Sequence, residues 1–226
     1  MKAMILAAGR GERMRPLTEH RPKPLLKAAG RCLIEYQISR LVEAGITDIV
    51  INHSLYGDQI EATLGDGHPY GARIKYSPEG DEPLGTGGGI YKALGLLDGP
   101  CFVVVNGDVW LDYPLSRLPP DPKGLAHLVL VKNPAHNRNG DFALIDGRLA
   151  LEGKQRLTFS GLGLYRPQLF DECADGRFSL TPVLRHAVSQ GLVSGERHDG
   201  VWIDVGTPQR LAELERRLAL RNLPCS

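Results

Sequence analysis

With 226 residues, 42% of them hydrophobic and 23% charged, the chain has the composition of a soluble globular protein, enough for one large α/β domain or two very small ones. Its 27 Lys and Arg against 26 Asp and Glu leave a formal net charge of +1, which excludes the broad basic footprint of a nucleic-acid binder. An anion would have to meet a local cluster of positive charge. No apolar run is long enough to span a membrane, and residues 1–6 are too briefly apolar for a signal peptide. The four cysteines, Cys32, Cys101, Cys173 and Cys225, form no C-x-x-C pair, as expected of reduced, mostly buried thiols in a cytoplasmic protein.

In chain order, Lys2–Leu6 reads as a buried strand that runs into Ala7-Ala8-Gly9. Ile34, Ile38, Leu41 and Val42 recur at helical spacing before Gly45, a helix-ending residue. Residues 48–52 (DIVIN) predict a strand, Gly57–Leu64 a helix and residues 74–77 a strand. A glycine-opened helix is expected over 87–97, then a strand over 101–105. Further on, 125–131, Phe142–Ile145 and 157–164 read as strands, with Asp146-Gly147 as a hairpin turn. Helices are expected over 181–190 and from Pro208 to about residue 220, where Thr207 suits the cap and Pro208 the first turn. Strand–helix alternation in the first half predicts a Rossmann-like α/β fold, with a mixed, mainly parallel sheet and helices on both faces. The proline-rich patch 114–122 is the only seam, read as a loop between two lobes of a single domain, 1–112 and 113–226.

The segment 7–24 (AAGRGERMRPLTEHRPKP) carries the clearest chemistry. Gly9 and Gly11 let the backbone approach a ligand, and successive N–H groups in such a turn can cradle phosphate oxygens. Arg10, Arg13, Arg15, Arg21 and Lys23 place five cations in a short span. A lone G-x-G is common in ordinary turns and arginines are usually solvated, so the weight rests on the buried strand leading straight into the loop. The segment is not a Walker loop, because no Gly-Lys-Ser/Thr follows, and it lacks the third glycine of a dinucleotide fingerprint. Asn106-Gly107-Asp108 ends a strand, the place where ligands gather in α/β sheets. Residues 83–90 (PLGTGGGI) open a helix, whose free N–H groups favour an anion.

Residues 1–27 resemble the signature of the sugar-1-phosphate nucleotidylyltransferases: a KAMILAAG strand, a G-x-G-x-R-M-x-P-L-T loop and R-P-K-P-L-L. PLGTGGGI is similar to that family's L-G-T-A-G-A element, Asn106-Gly107-Asp108 to its N-G-D motif and residues 202–208 (WIDVGTP) to its W-x-D-[IV]-G-T-P element. The resemblance implies a GT-A-like nucleotidyltransferase fold without a C-terminal β-helix. It implies a nucleotide site at Ala8, Gly9, Gly11, Glu12, Arg13, Lys23, Gly85 and Thr86, the triphosphate lying on residues 9–13 and the base and sugar against the Gly85-Thr86 element, with Arg13 and Lys23 also acting in catalysis. Glu12 stands where the family usually has Thr, so a hydroxyl contact is lost there while a backbone cradle survives. Asp108 and Asp204 are the implied Mg²⁺ ligands, and two carboxylates suffice when phosphates and water complete the shell.

On the acceptor side the resemblance implies Gly88, Asn106, Asp141, Glu152 and Gly161 for the sugar phosphate, although Glu152-Gly153-Lys154 is only a degraded form of the family's Glu-Lys-Pro element. His53, His127 and His198 have no metal-ligand spacing and read as packing or surface residues. The reaction implied joins a sugar 1-phosphate to the α-phosphorus of a nucleoside triphosphate and releases pyrophosphate, with no nucleic acid or membrane partner and a monomer as the expected state. UTP is the implied donor and N-acetylmuramic acid 1-phosphate, which carries a 3-O-lactyl group, the implied acceptor. The glycines at 87–89, where relatives carry Ala, are expected to leave room for that larger sugar. Mannose-1-phosphate guanylyl transfer and glucose-1-phosphate uridylyl or thymidylyl transfer are the alternatives within the fold. A non-catalytic nucleotide-sugar sensor is the alternative outside it.

Overall fold

The computed structural model describes residues 1–221, so Cys225 lies outside the described residues. The first half runs β1 (Lys2–Leu6), β2 (Lys27–Ala28), β3 (Arg31–Cys32), α1 (Leu33–Glu43), β4 (Asp48–His53), α2 (Gly57–Leu64), β5 (Arg73–Pro78), α3 (Gly85–Ala93), β6 (Phe102–Asn106) and β7 (Val109–Leu111). The second runs β8 (Ala126–Val131), β9 (Phe142–Ile145), β10 (Arg148–Ala150), β11 (Arg156–Tyr165), α4 (Leu180–Ser189), β12 (Val193–His198), β13 (Trp202–Asp204) and α5 (Pro208–Arg221). Nine strands form one sheet in the order β5-β4-β1-β6-β11-β8-β12-β10-β9, while β7 pairs with β13 and β2 with β3.

The apolar strands of the first half are buried on both faces, as parallel strands are. Ala3 and Ile5 face a core filled by Ile34, Ile38 and Leu41 of α1 and Ile60 and Leu64 of α2. Met4, one step away along β1, faces the opposite core with Ile90 of α3 and Leu180 and Leu184 of α4. Helices therefore cover both faces. A third cluster joins Leu214 and Leu218 of α5 to Met14, Trp110 and Ile203, fastening α5 over the β7–β13 ribbon. Register places Leu6 opposite Asn52 on one side and Asn106 on the other, so three strand ends form one row.

The sheet is mixed, with its parallel pairings mostly in the first half. Among the described residues four of its pairings are parallel and five antiparallel. Parallel pairing needs a crossover, usually a helix. The second half has a single helix between β8 and β12, and β8–β12 is its one parallel pair. The predicted hairpin is present: Asp146 and Gly147 have φ of 49° and 76°, joining β9 to β10 with the positive φ that a tight two-residue turn requires. The expected helix over 87–97 begins earlier, at Gly85, and ends in a 3₁₀ turn over Leu94–Leu96. Burial pushes up the thiols of Cys32, Cys101 and Cys173, none of which is in a disulfide among the described residues, so the protonated thiol is favoured.

Candidate active site

The row of strand ends opens into a cleft of about 180 Å³. Leu6 and the loop residues Ala7, Ala8 and Gly9 form one side and Gly85 and Thr86 at the start of α3 another, with Lys23, Asn52, Glu79, Asn106 and Asp108 also among the lining residues. The loop is fixed by its own chemistry. Gly11 has φ of 64°, and Thr18 donates its hydroxyl proton to the Gly11 carbonyl at 2.9 Å. A Cβ on Gly11 would lie 3.2 Å from Cβ of Lys23, so a side chain would be strained in backbone and crowded in space. Glu12, Arg13 and Met14 then make a single 3₁₀ turn, with Met14 buried and the two charged side chains exposed.

Asp108 lines this cleft, and Asp204, far along the chain, lies on the segment bonded to it. Asp108 follows β6, Asp204 ends β13, and β13 pairs with β7 so that Asp204 lies opposite Val109. The Val205 N–H donates to the Asp108 carbonyl at 2.8 Å, which locks the two segments together. Each carboxylate has its own cation: Lys23 Nζ donates to Asp108 Oδ2 at 2.5 Å, and Arg210 Nη1 to Asp204 Oδ2 at 2.8 Å. Lys23 is 8% exposed, Asp108 34% and Asp204 19%, so the acids reach solvent more than the lysine does. Arg13 belongs to the same group, since a Cβ on Gly206 would lie 3.2 Å from an Arg13 guanidinium nitrogen. No group of three or more His, Cys, Asp or Glu side chains able to hold a metal lies among the described residues. A cation here would rest on two aspartates with phosphate oxygens and water, a donor set that fits Mg²⁺.

Residues 2–143 match the nucleotidyl transferase family. The chain belongs to the nucleotidyltransferases. It is 52% identical over 224 residues to N-acetylmuramate alpha-1-phosphate uridylyltransferase of Neisseria meningitidis, covering 95% of this chain and 97% of that one. The enzyme of the same name from Caulobacter vibrioides is 34% identical, with 96% of each chain covered. In fold, the chain is similar to a Bacillus anthracis protein, described as a glucose-1-phosphate thymidylyltransferase and crystallised with sucrose. The TM-score is 0.84 at 23% identity, over 100% of this chain and 97% of that one.

In this nucleotidyltransferase the glycines of α3 do something other than the sequence suggested. The Gly87 and Gly88 N–H groups both donate to the Phe178 carbonyl at 3.1 Å, so they are spent on the protein and not held open for an anion. A Cβ on Gly87 would overlap the Phe178 ring, one on Gly88 the Gly176 carbonyl and one on Gly89 the Glu79 carboxylate. Gly87 and Gly88 admit the 176–179 segment and Gly89 admits Glu79, so the three leave no room for a larger sugar. Gly88 accordingly does not line the cleft. Gly85 and Thr86 do. Gly85 has φ of 74°, and the Thr86 hydroxyl accepts the Leu180 N–H at 2.9 Å, tying α3 to α4.

The acceptor residues are dispersed. Asn106 and Gly161 meet: Gly161 has φ of 85° beside a β-bulge in β11, and a Cβ there would lie 2.6 Å from the Asn106 amide nitrogen. The Asp141 carboxylate accepts the Phe159 N–H at 2.8 Å and an Asn137 amide proton at 3.1 Å, so it braces β11. Glu152 is exposed in the turn between β10 and β11 and lines neither the cleft nor the chamber beside it. Asn52 and Glu79 were missed by the sequence reading. Asn52 accepts the Ala7 N–H at 2.9 Å and donates to Glu79 at 2.6 Å, and Glu79 in turn accepts the Leu84 N–H at 2.6 Å. This buried relay connects the loop after β1 to the approach to α3. Asn52 had a signal, its place at a strand end beside Leu6 and Asn106; Glu79 had none.

Proposed function

We propose that this chain transfers a uridylyl group from UTP to N-acetylmuramic acid 1-phosphate, giving UDP-N-acetylmuramic acid and pyrophosphate, a step suited to the recycling of peptidoglycan sugars. The observation that carries the reading is the extent of the similarity: it spans both lobes, including the half that would hold the sugar.

The acceptor is a phosphate monoester with a second pKa near 6, so it is largely dianionic at neutral pH. Its oxygen forms a bond to the α-phosphorus of UTP, the bond from that phosphorus to the α–β bridging oxygen breaks, and pyrophosphate leaves with the electron pair. No general base is required. The work lies in bringing two polyanions together and offsetting charge on the leaving group. The Ala8–Gly11 backbone would cradle the triphosphate, with Lys23 and Arg13 offsetting its charge. Gly85 and Thr86 would hold the nucleoside side, and Asn106 and Gly161 the acceptor. Asp108 and Asp204 would hold Mg²⁺, which when bound supplies positive charge to the phosphate oxygens. Lys23 and Arg210 keep the two carboxylates in place.

The test is pyrophosphate release over a grid of nucleoside triphosphates and sugar 1-phosphates, with and without Mg²⁺. Release confined to UTP with N-acetylmuramic acid 1-phosphate and dependent on Mg²⁺ is expected. Faster release with GTP and mannose 1-phosphate, or with glucose 1-phosphate, would replace this reading, and no release anywhere would leave a binding protein.

A further inference from the structure

Behind the cleft lies a second chamber of about 170 Å³, reached past Leu6, Thr86 and Asn106, which line both spaces. Its walls are largely apolar, with Val104, Phe159, Leu180 and Leu184 joined by Thr181. Gly161, Gly163 and Tyr165 alternate along β11 and therefore share a face. Tyr165 stacks on Phe102 with ring centroids 6.2 Å apart. A Cβ on Gly163 would lie 2.5 Å from the Tyr165 hydroxyl, so the ring runs back along the strand toward Gly161 and Asn106, where the chamber meets the cleft. Tyr165 is fully buried, and among the described residues its hydroxyl has no hydrogen-bond partner. An unpartnered buried hydroxyl is a standing cost unless a ligand relieves it. Burial pushes the phenol up, so it remains a proton donor at any physiological pH.

We infer that this chamber is the subsite for the acetamido branch of the acceptor sugar, with the Tyr165 hydroxyl donating to the amide carbonyl and the methyl group lying among Phe159, Leu180 and Leu184. Among the described residues no Lys, Arg or His lines the chamber. A carboxylate such as the lactyl group's would be buried there without a counter-charge, which excludes that branch from it. A neutral amide brings one acceptor for the orphaned donor and a methyl for the apolar wall. The assignment rests on the proposed reaction, and it names which branch of the sugar the site reads.

The experiment compares N-acetylmuramic acid 1-phosphate with its N-deacetylated counterpart, by turnover with UTP and by calorimetric binding, in wild type and Tyr165→Phe. Wild type should favour the acetylated acceptor at least about tenfold, and Tyr165→Phe should lose about tenfold in kcat/KM on that acceptor alone, the effect of one hydrogen bond. KM for UTP should not move. Thermal stability of the free protein should hold or rise, because the substitution removes an unpaired buried hydroxyl. Equal effects on both acceptors, or no effect on either, would overturn the subsite. Acetyl-dependent binding that Tyr165→Phe abolishes, without any pyrophosphate release, would overturn the proposed reaction and leave the chamber standing.

Discussion

The two halves of the sheet build their share of the site in different ways. In the parallel half, β1, β4 and β6 end in register, and residues at or just past each strand end line the cleft directly: Ala7 to Gly9, Asn52, and Asn106 with Asp108. In the antiparallel half, almost nothing reaches the site by following its own strand. The Trp202 indole N–H donates to the Ser160 carbonyl at 2.9 Å, Asp141 holds the Phe159 backbone, and Phe178 caps glycines ninety residues away in the chain. One half presents a site by topology, the other by long-range contact. The nucleotide side should therefore be the more rigid in its construction, and the acceptor side the more easily retuned by single substitutions.

The sharpest test of this division is the pair of aspartates, one from each half. Asp108→Ala and Asp204→Ala should each lower the rate of pyrophosphate release about 10²–10³-fold at saturating Mg²⁺, a loss of charge organisation worth several kcal/mol. Circular dichroism should show both variants folded, since each acid is partly exposed. If Asp204→Ala kept near-normal turnover, the second half would be a support for the site and no part of its chemistry.

Gly88 asks whether α3 serves the ligand or the fold. Gly88→Ala sets a Cβ against a backbone carbonyl that cannot swing aside, and overpacking of this kind costs about 1–3 kcal/mol. Urea denaturation should show that loss, and turnover should fall alike for muramyl and unbranched hexosamine acceptors. A selective loss on the muramyl acceptor would restore the glycines to the sugar site. Gly95 is the control: a Cβ there meets nothing within 4 Å, so Gly95→Ala should be neutral or stabilising by about 0.4–1 kcal/mol.

Asp141→Asn probes the bracing of β11. The new amide can turn an N–H group toward the Phe159 N–H, and loss of a charge-assisted acceptor there should cost about 1–3 kcal/mol. KM for the acceptor should rise more than KM for UTP, because Phe159 lines the inner chamber. Equal changes in the two constants would mean that the halves are not separable in this way.

What the sequence made legible follows the same division. The strand–loop–helix run from Lys2 onward announces itself because its signals are local: an apolar run, then glycines and cations, then helical spacing. The β12 segment VSGERH carries no such alternation and was missed; it is held by pairing on both sides, with β8 and β10. Gly87 and Gly88 mislead the sequence analysis, since their partners at 176–179 lie far along the chain and a glycine does not say what approaches it. Glu79 and Tyr165 were invisible for the same reason. Each matters through an atom that only the folded chain brings near.

The smallest expected effect lies at the seam between β8 and β12. His127 Nδ1 is 2.9 Å from the Ser194 hydroxyl across that parallel pair. Burial pushes its pKa below the ordinary 6.5, and the nearby Glu196 carboxylate only partly opposes that shift. In the unfolded chain the imidazole regains its ordinary value, so between the two values the unfolded state binds more protons and stability rises with pH. The contribution is fully present above the unfolded value and is lost as pH falls through the folded one. Urea midpoints measured from roughly pH 7 down to pH 5 should therefore decline more steeply for wild type than for His127→Gln, which cannot titrate there. The difference should be less than about 1 kcal/mol, while turnover at neutral pH stays the same. Parallel curves would mean that Glu196 holds the imidazole near its ordinary pKa, and that the second half is joined there by an ion pair in place of a neutral hydrogen bond.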